Sequence, residues 1–106
     1  MGVKNITEAE YNDAIKTGKV IVDFWATWCG PCKMQGALIE EKLLPAHPEI
    51  EVLKVNVDEE PALAAKFGIM SIPTLLLYKD GKLLRGGADA QFEYGYHNWA
   101  PPAKKK

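Results

Sequence analysis

Apolar residues form several short runs along the chain that have the length and spacing of strands. Residues 20–25 are almost continuously apolar and rich in β-branched side chains, with the single carboxylate Asp23 among them, which is typical of a strand covered on both faces. Residues 51–58 alternate Val or Leu with polar side chains in their second half, and they predict a second strand that pairs with the first. Two further runs, 74–78 and 83–84, flank an aspartate-glycine pair and predict a hairpin.

The segments between and after these strands have the spacing or the boundary residues of helices. The predicted helices comprise residues 7–18 (with a capping box and a terminal glycine), 32–44, 62–67 and 89–99. The second is the longest, and we expect Pro45 and Pro48 to end it, with Gly36 weakening its middle by about 1 kcal/mol relative to alanine. Strands and helices in this order predict an α/β fold, and residues 100–106 are expected to form a frayed tail.

The composition of the 106 residues is that of an ordinary globular protein, with 47% hydrophobic and 25% charged residues. A chain of this length has room for one domain, residues 1–106, that buries more than about 60% of its unfolded surface. A net charge of −1 gives no reason to expect a nucleic-acid partner. The first residues lack an apolar run of signal-peptide length, and no stretch has the roughly 18 apolar residues of a membrane helix. We therefore expect a cytoplasmic protein without a membrane partner.

Cys29 and Cys32 are the only cysteines in the chain. A disulfide between them closes so small a ring that it would restrain the unfolded chain by only about 2 kcal/mol, against about 4.7 kcal/mol for a loop of about 100 residues. In a reducing compartment such a pair is more often catalytic or metal-binding than structural. Zinc needs two more ligands, and the remaining candidates, His47 and His97, lack finger-like spacing, so we expect no metal. The spacing suits thiol-disulfide exchange, in which one thiol attacks a partner's disulfide and the other displaces it.

The residues around the cysteine pair resemble the thioredoxin family. A C-x-x-C at the junction of a buried strand and a helix, within a βαβ pattern, is typical of thioredoxin-like redox proteins. Residues 22–26 and 28–34 are similar to the family's active-site strand, loop and helix, and residues 67–69 and 72–75 are similar to its cis-proline segment. The resemblance extends over roughly residues 5–85. It implies a thioredoxin fold, in which a central mixed β-sheet is flanked by helices on both faces.

The two thiols are expected to have separate roles. Cys29 lies near the start of the predicted helix, where unpaired backbone N–H groups and the helix dipole lower a thiol pKa from about 8.5, so we predict that it is the nucleophile. Cys32, one turn further along, is expected to be more buried and to resolve the mixed disulfide.

Asp23 is unusual because it places a carboxylate inside a buried strand. Desolvation there should raise its pKa by about 3 units, equivalent to roughly 4 kcal/mol. The resemblance implies that Asp23 donates and accepts the proton of Cys32, with Lys54 on the neighbouring strand as its charge partner. The alternative is a structural buried acid that is merely paired with Lys54.

A second group of residues is expected to bind substrate. The resemblance implies a cis peptide bond before Pro73, although only about 5% of X-Pro bonds in folded proteins are cis. It also implies that an extended substrate segment pairs with the backbone of Ile72. The substrate-binding residues implied in this way are Trp28, Gly30, Pro31, Ile72, Pro73 and Gly87. The chain departs from the family at Ala37, where a proline is usual, and in the residues after Arg85, which contain no family motif that we identify.

The resemblance implies a protein disulfide reductase that an external reductase, similar to thioredoxin reductase, returns to the dithiol form. We expect protein substrates that contain disulfides, a monomeric state, and no cofactor beyond the redox-active disulfide. Two alternatives stay open at this point. One is a dedicated electron-transfer partner of a single enzyme or pathway, and the other is a redox-gated binding module without turnover.

Overall fold

A five-stranded sheet organises residues 2–85, the part of the chain that the computed structural model describes. The strands are β1 (Gly2–Asn5), β2 (Lys19–Trp25), β3 (Ile50–Asn56), β4 (Thr74–Lys79) and β5 (Lys82–Arg85). Their order across the sheet is β1-β3-β2-β4-β5. The strands β1, β3 and β2 are parallel to one another, whereas β4 is antiparallel to both β2 and β5. The sheet is therefore mixed, β2 is its central strand, and the predicted pairing of β2 with β3 is confirmed.

Strand β1 is absent from the sequence-based prediction. It pairs with β3, so that Val3 lies opposite Val52, and Val3 packs against the buried residues on one face of the sheet. Val3 is the one apolar side chain of the four residues, too few to establish an alternating pattern. The strand forms because backbone hydrogen bonds to β3 supply the stabilisation that its own side chains do not predict.

Within residues 2–85, four helices and one irregular turn connect the strands. The helices are α1 (Glu8–Ala14), α2 (Gly30–Leu38), α3 (Leu44–Ala46) and α4 (Pro61–Lys66), and a π-helical turn, Ile39–Leu43, joins α2 to α3. At the start of α1 the Glu10 carboxylate accepts a hydrogen bond of 2.9 Å from the backbone amide of Thr7, as the predicted capping box requires. The predicted last helix (89–99) and the predicted tail (100–106) lie outside the described residues.

The prediction for the long helix was wrong in its boundaries and its regularity. The helix begins at Gly30 rather than at Cys32, and after Leu38 it widens into the π turn, where the amide of Leu44 donates to the carbonyl of Ile39. Pro45, which was expected to end the helix, lies within α3. Proline is tolerated there because the π turn directly before it already interrupts the regular i to i−4 hydrogen bonds in which its missing amide would take part.

Buried side chains fill both faces of the sheet. On one face, α1 and α4 cover a cluster that includes Tyr11, Phe24 and Leu63. On the other face, the π turn brings Ile39 against Ile21 and its neighbours. Successive side chains of β2 alternate between the two clusters, because side chains of a strand point to opposite faces in turn. The predicted α/β architecture, with helices on both faces of a mixed sheet, is confirmed.

Replacement of Gly36 with alanine is expected to raise the free energy of unfolding by roughly 0.5–1 kcal/mol, because alanine favours a helix over glycine. A Cβ atom at this position would lie 3.5 Å from Lys54 Nζ, which is an ordinary contact. Ala37→Gly, at the next position of α2, is the matched control and should lower the stability by a similar amount. Urea denaturation of the oxidised proteins measures both changes, and a less stable Gly36→Ala variant would contradict the prediction.

Candidate active site

The disulfide lies where the central strand β2 leads into α2. Cys29 precedes the first residue of α2 as its N-cap, and its Sγ accepts a hydrogen bond of 3.1 Å from the backbone amide of Cys32. The two residues form a disulfide, with their Cα atoms 5.3 Å apart. Pro31 lies in the first turn of α2, where its fixed φ angle suits a helix start. The Gly-Pro pair between the cysteines therefore begins the helix and places both sulfur atoms at its N-terminus.

The two cysteines differ in depth, as the sequence predicted. Cys29 is 5% exposed and Cys32 is 1% exposed. Gly30 and Pro31, which follow Cys29 directly, are exposed. The Sγ atom of Cys29 also lies 4.0 Å from the backbone carbonyl oxygen of Ile72. Cys29 is thus the sulfur nearer to the surface, and it faces the loop that leads into β4.

An apolar depression lies beside the disulfide. It has a volume of about 150 Å³ and is lined by Trp28, Val57, Ile69, Met70, Ser71 and Ile72. The peptide bond between Ile72 and Pro73 is cis, as the resemblance implied, and both residues are half-buried. Of the residues predicted to bind substrate, Trp28 and Ile72 line the depression, whereas Gly30, Pro31 and Pro73 do not. Gly87 lies outside the described residues, so its contact with substrate stays a prediction.

Sequence reasoning missed most of the lining of this depression. Met70 is the clearest example, because its side chain is 94% exposed although it is large and apolar. It belongs to a loop, and loop residues have no hydrophobic period that would reveal their neighbours. The available signal was composition, since Ile69, Met70 and Ile72 bring three large apolar side chains together directly before Pro73. Exposed apolar clusters of this kind mark interaction surfaces.

Trp28 is held in place although it is largely exposed. Its indole Nε1 donates a hydrogen bond of 2.9 Å to Asp58 Oδ2, while 69% of the residue stays accessible to solvent. Asp58 is itself positioned by the turn after β3, where Asn56 Oδ1 accepts hydrogen bonds of 2.8 and 3.3 Å from the backbone amides of Asp58 and Glu59. The aromatic ring therefore has a fixed orientation beside the disulfide.

Asp23 is fully buried in the middle of β2. Neither of its carboxylate oxygens has a hydrogen-bond partner within the described part of the chain. Burial raises the pKa of Asp23 to about 7, and the positive charge of Lys54 acts in the opposite direction. The predicted rise in the pKa is confirmed, with desolvation as its main cause.

Lys54 lies beside Asp23, but within residues 2–85 its ammonium forms no ion pair with the Asp23 carboxylate. The two residues are opposite each other in the parallel register of β2 and β3, as expected for neighbouring strands. The Lys54 ammonium, however, lies 4.3 Å from the centre of the Trp25 ring, in the geometry of a cation-π interaction. Among residues 2–85 the ion pairs do not include one between Asp23 and Lys54. Lys54 is therefore a nearby charge and not a direct ion-pair partner.

Gln35 is a further buried polar residue that sequence reasoning missed. It is fully buried on the inward face of α2, and both atoms of its amide lack a hydrogen-bond partner in the described region. Among residues 2–85, the other buried side-chain atoms without a hydrogen-bond partner are the carboxylate oxygens of Asp23 and Nε1 of Trp25. A signal was available, because Gln35 follows Cys32 by three residues and precedes Ile39 by four, which is the spacing of one helix face.

Two other kinds of site are not found among residues 2–85. No group of three or more His, Cys, Asp or Glu side chains gathers there in a way that could hold a metal ion. Over the same residues, no helix combines the length and the apolar character needed to cross a bilayer.

Similarity to known proteins agrees with this geometry. The family profile described as Thioredoxin matches residues 2–93, which is further toward the C-terminus than the motifs identified above. The chain is 45% identical over 82 residues to the thioredoxin of Staphylococcus aureus, covering 77% of this chain and 79% of that protein.

Solved structures show the same likeness. Mitochondrial thioredoxin 3 from Saccharomyces cerevisiae, in its oxidized form, superposes with a TM-score of 0.73 and 37% identity, covering 80% of this chain and 81% of that chain. The thioredoxin of Malassezia sympodialis (Mala s 13) superposes with a TM-score of 0.70 and 36% identity, covering 80% of this chain and 79% of that chain.

Replacement of Asp23 with asparagine is expected to remove a pH dependence of stability. Between the ordinary aspartate pKa of 3.8 and the raised value of about 7, the folded chain binds more protons than the unfolded chain, so its stability falls as the pH rises. Relative to Asp23→Asn, the wild-type protein should lose about 4 kcal/mol over this window, which is about 3 pH units at about 1.4 kcal/mol per unit. Urea denaturation of the oxidised proteins from pH 4 to pH 7 measures this loss; a constant difference between them would contradict it.

Proposed function

Since this chain belongs to the thioredoxin family and is a protein-disulfide reductase that works by thiol-disulfide exchange, we propose that Cys29 is its attacking thiol and Cys32 its resolving thiol. The position of Cys29 as the N-cap of α2 carries this assignment. Its sulfur accepts a hydrogen bond from the backbone amide of Cys32 and lies at the positive end of the helix dipole. The hydrogen bond and the dipole both stabilise a thiolate. Cys32 is more deeply buried and suits a thiol that reacts only within the mixed disulfide.

The exchange transfers two electrons to the substrate in two steps. First, the Cys29 thiolate attacks one sulfur of the substrate disulfide, so that a mixed disulfide forms and the other substrate sulfur leaves as a thiolate that takes up a proton. Second, Cys32 loses its proton and attacks the sulfur of Cys29, which forms the Cys29-Cys32 disulfide and releases the second substrate sulfur as a thiolate that takes up a proton. The substrate is reduced and this chain is oxidised. A reductase similar to thioredoxin reductase then returns two electrons to the disulfide.

Asp23 is proposed to take up the proton that Cys32 loses, through a short water link. A general base works best when its pKa lies near the operating pH, and burial raises the pKa of Asp23 to about 7. The charge of Lys54 lowers the pKa from the value that burial alone would produce, and so keeps the carboxylate form accessible. Together these two influences support a group that exchanges a proton near neutral pH.

The surface around Cys29 is proposed to bind an extended segment of the substrate protein. The carbonyl oxygen of Ile72, 4.0 Å from Cys29 Sγ, is placed to accept a hydrogen bond from a substrate backbone amide, as in strand addition to a sheet. An apolar substrate side chain next to the disulfide then occupies the depression between Trp28 and Met70. The exposed residues Gly30 and Pro31 leave space for the substrate chain to approach the sulfur.

The cellular setting is proposed from the same chemistry. A reductase of this kind needs its dithiol form, and a dithiol persists in a reducing compartment such as the cytoplasm. We propose that the chain works there as a monomeric electron carrier with no cofactor beyond its own disulfide. Both faces of its sheet are covered by its own helices, which supports a monomer.

Replacement of Cys32 with serine should trap the protein on its substrate. In Cys32→Ser the thiolate of Cys29 still attacks, but no second thiol can release the mixed disulfide, so a covalent complex accumulates with a disulfide protein such as insulin. Cys29→Ser is the matched control and should form at least tenfold less of this complex, on the order expected when the activated thiol is lost. Non-reducing electrophoresis measures both, and equal trapping by the two variants would contradict the assignment of roles.

The reduction potential should distinguish a reductant from an oxidant. A couple that donates electrons to substrates is expected near about −270 mV, whereas an oxidant lies near about −120 mV. Equilibration with glutathione or a reference thioredoxin measures this value.

With a thioredoxin reductase as the electron donor, the chain should reduce several unrelated disulfide proteins over many cycles. Activity on one protein alone would favour a dedicated partner, and stoichiometric oxidation without turnover would favour a redox-gated binding module.

A further inference from the structure

A buried glutamine, Gln35, lies next to the proposed proton pathway. Gln35 is on the inward face of α2, one turn after Cys32, and its side chain is fully buried. Neither its amide nitrogen nor its amide oxygen has a hydrogen-bond partner among the residues that the structure describes. A buried amide is costly unless it is hydrogen-bonded. A hydrogen bond to a neighbouring group would therefore lower the free energy of this side chain.

The contacts of the residues one turn before and one turn after Gln35 indicate which part of β2 it lies against. One turn before it, Cys32 belongs to the cluster that contacts Trp25 at the end of β2. One turn after it, Ile39 packs in the cluster of Ile21. Asp23 lies between Ile21 and Trp25, and the alternation of side chains places all three on the same face of β2. Gln35 on α2 therefore lies across from Asp23 on β2.

Three elements supply the charged and titratable groups around Gln35 and Asp23. Strand β2 supplies Asp23, β3 supplies Lys54 directly opposite it, and α2 supplies Cys32. Strand β4 places the apolar Leu75 beside Asp23. Because the Lys54 ammonium is directed at the Trp25 ring, the carboxylate oxygens of Asp23 have no partner among these groups. The Gln35 amide and the Asp23 carboxylate are therefore both buried between α2 and the sheet, and neither has a hydrogen-bond partner among residues 2–85.

We propose that Gln35 is a positioning residue for proton transfer, whose amide Nε2 donates a hydrogen bond to Asp23 when this carboxyl group is ionised. An ionised carboxylate is a stronger acceptor than a neutral carboxyl group, so the bond favours the charged form. Gln35 thereby lowers the pH at which Asp23 becomes able to accept the proton of Cys32. This inference rests on the proton role of Asp23 in the proposed function.

The variant Gln35→Met tests this hydrogen bond, because methionine keeps the length and flexibility of the side chain but removes the donor. In this variant the pKa of Asp23 should rise by about one unit, a tenfold change in its acid dissociation constant. NMR titration of the ¹³C-labelled Asp23 carboxyl in the oxidised protein measures the shift, and the pH midpoint of disulfide reduction should rise by the same amount. Ile39→Met, one turn along the same buried face, is the matched control and should change neither value.

An Asp23 pKa that is unchanged or lower in Gln35→Met would overturn the inference, as would an equal rise in Ile39→Met. In an Asp23→Asn background, Gln35→Met should have no further effect on the pH profile, because the acceptor is gone; a further shift would also overturn it. If the pKa of Asp23 rises but the pH profile does not follow, the proton role of Asp23 fails while the hydrogen bond from Gln35 is supported. The two proposals can therefore fail separately.

Discussion

The packing of α2 against the central sheet is the contact on which the whole site depends. The inward face of the helix must exclude water along its length, and at the same time its first turn must leave one sulfur accessible. Cys32 and Ile39 satisfy the first requirement, since both are almost fully buried. Cys29 satisfies the second, because it lies before the first helical residue and faces the loop of Ile72. The π turn after α2 keeps the helix on the sheet where the regular hydrogen-bond pattern ends.

The same packing encloses polar groups whose burial opposes stability. Asp23 has no hydrogen-bond partner in the described region, and Lys54 compensates its charge only from a distance. Replacing such a group with a neutral one commonly stabilises a fold, so its presence in the centre of the sheet is explained by chemistry more readily than by folding. The low polarity of the surroundings both raises the free energy of the carboxylate and moves its titration into the neutral range.

Much of the fold and half of the site follow from local sequence patterns. The spacing of Cys29 from its partner and the continuous apolar run around Asp23 were sufficient for the redox pair and the buried acid. Val3 could not be predicted to lie in a strand, because that strand depends on backbone pairing with a distant segment. Gln35 was missed because a search for apolar positions ignores a polar residue at an inward position. Met70 was missed because a loop has no period, so its place beside the disulfide depends on the tertiary fold alone.

The hydrogen bond between Trp28 and Asp58 has a consequence for substrate selectivity. It fixes the exposed indole before any partner arrives, so the entropy of ordering this side chain is lost on folding and not again on binding. A rigid recognition surface cannot adapt to a partner, and the adaptation has to come from the other chain. Disulfides in pliable segments can reshape themselves around the ring, whereas those in stiff hairpins cannot. If substrates bind beside Trp28 as proposed, the mechanical compliance of the substrate, as much as its sequence, should determine which disulfides are reduced.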